Sequence, residues 1–253
     1  MKAALVQYNP VWENISENKK KIDKMLQKDF HHADLIILPE MTLTGFTMKA
    51  KKYCENLNGE SVKYFSDLAK TYNTNIIAGM ILEENDEHFN ALIHINEKGN
   101  LLAVYKKTHP FSYSTENLHY KRGEKPVISK IKDWNIGLAV CYDLRFPELY
   151  RFYAKEKVEL IITIANWPDT RIEHWKSLLK ARAIENQCYS IGVNRVGNDP
   201  KLHYDGFSGV FDPMGNEVAL VKDKEEIIYC DMDINKVYET RKSLPFLDDI
   251  HLI

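Results

Sequence analysis

The 253-residue chain carries 34 Lys and Arg against 36 Asp and Glu, a formal charge of −2, with a pI near 6.5. That balance leaves no electrostatic footprint for nucleic acid or an anionic membrane surface. Hydrophobic residues make up 44%, enough for one sizeable core, and no Pro/Gly/Ser linker, low-complexity tract or repeat divides the chain, so one domain over residues 1–253 is expected.

Met1 runs straight into an apolar strand predicted at 3–7, without a signal-peptide core. No apolar run approaches membrane-spanning length, so a cytoplasmic protein is expected. A helix follows, with Ile22, Met25, Leu26 and Phe30 on one face and Ser16 as its cap. The next strand, 35–38, is a continuous apolar run that ends in Pro39 and Glu40, before the loop Thr42-Leu43-Thr44-Gly45-Phe46. Ser61 opens a second helix with Val62, Phe65, Leu68, Ala69 and Tyr72 inward. Strands at 76–82 and 89–95 lead to Asn96-Glu97-Lys98-Gly99, whose turn formers predict a hairpin into strand 101–106. Strand 136–140 stops at Cys141, strand 159–165 follows, and a helix from about 171 to 187 turns Ile172, Trp175, Leu178 and Leu179 inward. Strands at 189–194, 207–211, 217–221 and 226–231 complete the chain, with a second hairpin at Asp212-Pro213-Met214-Gly215. Antiparallel neighbours among βα units predict an α/β fold in which a mixed sheet pair has helices packed outside.

Three strand ends deliver reactive groups. Cys141 closes Ile136-Gly137-Leu138-Ala139-Val140 and opens the charged turn Tyr142-Asp143-Leu144-Arg145-Phe146-Pro147-Glu148. Most free cysteines are small core hydrophobes, but a thiol at a strand's carboxyl end, beside free backbone N–H groups, suits acyl transfer. Glu40 ends its strand in the same way. The third end is Tyr105-Lys106-Lys107-Thr108-His109, where strand alternation sends the two lysines to opposite faces. A carboxylate, an ammonium and a thiol together cover amide hydrolysis: a nucleophile, a base that returns its proton to the leaving amine, and a cation for the tetrahedral oxyanion. Asp143, Arg145 and Glu148 are expected to brace the turn through ion pairs. The cysteines at 54, 141, 188 and 230 lack CxxC spacing, and His31, His32 and His203 lack metal-ligand spacing, so no metal site or disulfide is indicated.

On these segments the chain resembles the nitrilase, or carbon-nitrogen hydrolase, superfamily. Leu38-Pro39-Glu40 is similar to its glutamate motif, Tyr105-x-Lys107-x-His109 to its lysine motif, and Cys141-Tyr142-Asp143-Leu144-Arg145-Phe146-Pro147-Glu148 to its cysteine motif. The resemblance selects Lys107 over Lys106. It implies a four-layer αββα sandwich, usually a homodimer, no metal or organic cofactor, and Glu40, Lys107 and Cys141 as catalytic residues. Glu116, in Ser114-Thr115-Glu116-Asn117, falls where the family carries a second active-site glutamate.

Family members cleave several kinds of amide and nitrile, so fold alone does not fix the substrate. Asn166-Trp167-Pro168-Asp169, with His174-Trp175 and Ala181-Arg182-Ala183-Ile184-Glu185-Asn186-Gln187, resembles the bacterial omega-amidase branch. This implies a small-molecule amide substrate, a 2-oxo dicarboxylate monoamide such as 2-oxoglutaramate or 2-oxosuccinamate. Met41, Gly45-Phe46-Thr47-Met48 and Asn166-Trp167-Pro168 are expected to wall the pocket, with Phe46, Tyr142, Asn166, Trp167 and Arg145 touching substrate. Trp175 is expected in the core. The substrate's carboxylate needs a cationic partner, for which Arg145, Arg171 and Arg195 all remain open. Two other readings stay open as well: an amidase for a longer substrate such as deaminated glutathione, and a non-catalytic binding module.

Overall fold

A computed structural model describes residues 1–251. Its strands are β1 (Lys2–Gln7), β2 (Leu35–Ile37), β3 (Asn75–Glu84), β4 (Glu87–Ile95), β5 (Leu101–Lys106), β6 (Ile128–Ile131), β7 (Trp134–Val140), β8 (Leu160–Ala165), β9 (Tyr189–Asn194), β10 (Val196–Asn198), β11 (His203–Phe211), β12 (Glu217–Lys222) and β13 (Glu226–Asp231). The α-helices are α1 (Ile15–Asp29), α2 (Ala50–Tyr53), α3 (Glu60–Tyr72), α4 (Pro147–Lys155), α5 (Ile172–Asn186) and α6 (Ile234–Ser243).

The strands form two mixed sheets. One runs β13-β1-β2-β3-β4-β5, with β1, β2 and β3 parallel. The other runs β10-β11-β9-β8-β7-β6, with β7, β8 and β9 parallel and β12 also paired to β11. Strand alternation sorts the apolar side chains into layers. Ala3, Leu5, Leu35 and Ile37 share a core with Leu138, Ile162 and Ile191 of the facing sheet, whereas Ala4, Val6, Ile36 and Leu38 pack beneath Ile22 and Leu26 of α1 and Phe65 of α3. Outside the second sheet lie α4, whose Tyr150 hydroxyl meets Thr163 Oγ1 at 2.8 Å, and α5, whose Trp175, Leu179 and Ala183 are buried. The order helix, sheet, sheet, helix is the expected four-layer sandwich. Each fully buried Leu or Ile contributes roughly 1.5–3 kcal/mol, so the runs that read as strands also hold the layers together.

Two caps differ from expectation. Asn14, not Ser16, caps α1, because Ser16 already lies inside the helix and Asn14 Oδ1 accepts from Glu17 N at 3.1 Å. Helix α3 opens on Gly59, and Ser61 instead donates to Glu55, which supplies acceptors for its N–H at 2.8 Å and its hydroxyl at 2.5 Å. Five elements lie outside the predicted set: β6, β10, α2, α4 and α6. The strands are three or four residues long, too short to carry a period, whereas α4 advertises itself through Pro147 in its first turn. Among the described residues no helix is long and apolar enough to cross a membrane.

Candidate active site

Parallel strands carry successive carboxyl ends to one edge, and the structure gathers Glu40, Lys107, Glu116 and Cys141 there. Glu40 lies three residues beyond β2, on a turn that continues into Met41 at φ +44°. This turn presses onto β3 at Gly79, where an added Cβ would lie 2.4 Å from Met41 N and 2.7 Å from Glu40 Cα. Only glycine admits that approach. Thr42 fastens it, its N–H donating to Gly79 O and its Oγ1 accepting from Gly79 N, both at 3.0 Å.

Lys107 follows β5 and is 1% exposed, its N–H donating to Asn90 O at 2.8 Å. Its Nζ lies 3.0 Å from Glu40 Oε1 and 2.9 Å from Glu116 Oε2. Lys106, on the opposite face, pairs with Glu84 and lies over the Phe89 ring. Glu116 is fully buried at the start of a 3-10 turn and accepts from Phe111 N at 2.5 Å.

Cys141 directly follows β7 at φ +47°, a left-handed conformation that costs a non-glycine residue about 1–3 kcal/mol. It opens the 3-10 turn Cys141–Arg145, whose first N–H groups lack helical partners. Asp143 holds that turn. Its Oδ2 accepts from Val140 N at 3.0 Å and Tyr105 hydroxyl at 2.8 Å, and its Oδ1 accepts from His109 N at 3.0 Å and lies 2.8 Å from His109 Nδ1. Here is the physical sense of Tyr105-x-Lys107-x-His109: the residues on either side of the lysine bind the carboxylate beneath the cysteine. Asp143 thus braces the turn as expected. Arg145 does not, since it makes no ion pair among the described residues; its guanidinium lies 4.7 Å over the Trp167 ring and 3.1 Å from His174 Nδ1.

Asn166 follows β8 and links the two sheets, donating from its N–H to Glu40 Oε2 and from its Nδ2 to Glu40 O, both at 2.8 Å. Burial alone would raise the Glu40 carboxyl, but the Lys107 charge and the donors from Asn90, Lys107 and Asn166 outweigh it and hold the group below the usual carboxylate range. Burial likewise disfavours the Lys107 ammonium, yet Glu116 and Glu40 more than compensate and raise it. The Cys141 thiol goes the other way, pushed well above its ordinary value by burial and then by the Glu40 charge, against a smaller opposing effect of Lys107. At neutral pH the proton therefore rests on sulfur and the carboxylate is bare. Difference absorbance at 240 nm between the wild type and Cys141→Ala should accordingly show no thiolate up to pH 9; an ionisation midpoint below pH 8 would contradict this.

The site opens into a small pocket. Lys107, Cys141 and Asn166 line it together with Phe46, Tyr142, Trp167 and Pro168. Met41 does not: it packs behind the site with Ala50, Ile81 and Tyr120, and Gly45, Thr47 and Met48 are also absent from the wall. Trp167 is both wall and core, 3% exposed and 5.5 Å from Trp175, which is fully buried. The three arginines separate cleanly. Arg145 and Arg171 line the pocket, whereas Arg195 is buried behind Tyr204, its Nε donating to Val196 O and its Nη2 to Asn9 Oδ1 and Asn198 O, with Nη1 left without a partner. Phe111, Ser114, Leu202 and Tyr204 also line the pocket and carry no sequence signal of the kind that marks the strand ends.

All four cysteines are free. Among the described residues His203, Asp205 and Asp223 bring ligand atoms within 4.8 Å of one another, a cluster that the chain spacing of His203 does not reveal. His203 already bonds to Asp205 and to Asn198, and Lys222 lies 3.8 Å from Asp205.

Residues 2–242 match the model of the carbon-nitrogen hydrolase family. The chain is 31% identical to the 2-oxoglutaramate amidase of Bacillus subtilis (strain 168), covering 97% of this chain and 95% of that one. It is 34% identical to omega-amidase YafV of Escherichia coli (strain K12), covering 98% and 96%. Its structure matches a CN-hydrolase superfamily protein of Xanthomonas campestris that bears an arsenic adduct in its active site, with a TM-score of 0.94 and 31% identity over 100% of this chain and 98% of that one. With these similarities falling on the omega-amidase branch, the chain belongs to the carbon-nitrogen hydrolase family and is an amide-hydrolysing enzyme.

Proposed function

We propose that the enzyme hydrolyses the terminal amide of small 2-oxo dicarboxylate monoamides, of which 2-oxoglutaramate and 2-oxosuccinamate are the best candidates, through a thioester on Cys141. The observation that carries this reading is the pair of guanidinium groups, Arg145 and Arg171, which line the pocket that holds Cys141 and have no carboxylate partner among the described residues. Two unneutralised cations at a largely apolar site favour an anionic substrate. The names of the two amidases above agree with that choice.

In the proposed reaction Cys141 Sγ attacks the amide carbon as Glu40 takes the thiol proton. The oxyanion forms between Lys107 Nζ and the Tyr142 N–H. Collapse breaks the C–N bond, Glu40 gives its proton to nitrogen, and ammonia leaves. Water then attacks the thioester as Glu40 takes one of its protons, and the second collapse returns that proton to sulfur and releases the carboxylic acid, which gives up its own proton to solvent. Because the bare carboxylate and the protonated thiol are the resting forms, proton transfer accompanies attack. A homodimer, implied by the family resemblance, belongs to the same proposal and is read by light scattering.

Ammonia release over a panel of amides tests the substrate. Catalytic efficiency should be highest for 2-oxoglutaramate or 2-oxosuccinamate and lower for monoamides without the keto group. Glutamine and asparagine should be poor, since the pocket would desolvate their ammonium without pairing it. Arg171→Ala or Arg145→Ala should raise KM for the anionic amides by at least about tenfold and leave propionamide unchanged, the pattern expected when a carboxylate partner is lost. Preference for a nitrile, a carbamoyl amine or a glutathione-sized amide would overturn the omega-amidase reading.

A further inference from the structure

Asn90 does not figure among the residues that the strand ends or the family motifs single out. It lies in the middle of β4, across the ladder from Lys107: Ala91 pairs with Lys106, and the Lys107 N–H donates to Asn90 O at 2.8 Å. Its side chain is buried, and its Nδ2 donates to Glu40 Oε1 at 2.6 Å and to Glu116 Oε1 at 2.8 Å. Those two oxygens lie 3.0 and 3.1 Å from Lys107 Nζ. One ammonium and one amide therefore bridge the same two carboxylates.

The orientation of the amide is fixed by charge. Asn90 Oδ1 is buried with no partner, which is costly, yet reversing the group would set its oxygen against two carboxylate oxygens and repel both. The amide thus leaves its acceptor unpaired and aims both N–H groups at the anions. Two carboxylates sharing one ammonium leave one negative charge in excess in a buried site, and like charges push one of the pair toward its protonated form. Two charge-assisted hydrogen bonds oppose that without adding a group that titrates.

We infer that Asn90 is a positioning residue, tying Glu40 and Glu116 to one amide and keeping Glu40 ionised so that it can take the Cys141 proton. The inference rests on the reading of Glu40 as the base. Besides the two glutamates, the titratable groups that face the cluster are Lys107, Cys141 and Tyr120, whose hydroxyl donates to Thr47 O at 2.6 Å. Burial raises Cys141 and Tyr120, and the glutamates raise Lys107 against its own burial. Of these groups Glu40 is the one held below its ordinary range, so the acid limb of the rate reads it.

The test is the pH profile of kcat/KM for ammonia release by the wild type, Asn90→Leu and Asn90→Ser. Asparagine to leucine keeps the shape and removes both donors without adding a group that titrates, so its acid limb should move up by about one pH unit or more; serine keeps one donor and should fall between. A merely structural role would lower the rate without moving the limb, and an acid limb common to all three proteins overturns the inference. Should the variants not fold, the side-chain NH2 of Asn90 in the 15N-labelled wild type gives the answer, since both protons should be shifted downfield and slow to exchange with water. Exposed-amide shifts and fast exchange overturn the inference. Glu40→Gln separates the two readings: substantial activity in that variant removes Glu40 as the base, while the NH2 signature still decides whether Asn90 ties the carboxylates.

Discussion

Replacing Cys141 by alanine should reduce ammonia release by a factor on the order of 10⁶, the scale seen when a catalytic nucleophile is deleted, while thermal unfolding stays nearly unchanged. Alanine keeps a Cβ, so the φ of +47° costs both residues alike and cancels from the comparison. The hydrogen bonds that fix the turn are donated to Asp143 by the Val140 N–H, the Tyr105 hydroxyl and the His109 N–H, and none uses the cysteine side chain. The other thiols should be dispensable for chemistry. Cys188 and Cys230 are buried and pushed up to about 12 by that burial, and neither lines the pocket. Cys54 is partly exposed but packs beside Met41 and Tyr53. Mass mapping after partial inactivation by iodoacetamide checks the assignment: inactivation that tracked modification of Cys188, with Cys141 untouched, would refute it.

What the sequence displays of this site is what strand ends display. Glu40, Lys107 and Cys141 each close an apolar run, so the break in hydropathy marks them before any geometry is known. The layers are legible for the same reason, because a continuous run such as Leu35-Ile36-Ile37-Leu38 must be covered on both faces. Asn90 is harder to find. It stands inside a strand at a position whose neighbours Phe89 and Ala91 read as ordinary alternation, and its meaning comes only from Glu40 and Glu116, 50 and 26 residues away. An amide set between Phe89 and the apolar run Ala91-Leu92-Ile93 was the available signal. The pocket arginines show the same limit: Arg145, Arg171 and Arg195 are equivalent as letters, and only the fold turns two toward the cavity while burying the third behind Tyr204. Ser16 and Ser61 show how local rules yield to neighbours, since each sits where a cap could be and another side chain supplies the acceptor.

The adjacent lysines give the sharpest contrast that the strand register makes available. Lys107→Ala should lower kcat/KM by at least about a hundredfold, the effect of deleting one donor to a developing oxyanion. A second loss should accompany it. Glu40 and Glu116 would remain buried without their shared cation, and breaking a buried ion pair from one side costs about 3–5 kcal/mol. The sign of the pH effect follows: with Lys107 gone, the burial that raises Glu40 is no longer outweighed by its charge, so the carboxyl pKa climbs and the base is lost on the acid side first. The remaining activity should therefore rise with pH over a range where the wild type is flat. Lys106→Ala removes a partly exposed pair with Glu84 and a contact with the Phe89 ring, and surface pairs of that kind are worth about 0–1 kcal/mol. Its kcat/KM should stay within about twofold of the wild type. The reverse ranking of the two variants would mean that the face of β5 that turns toward Glu40 has been misassigned.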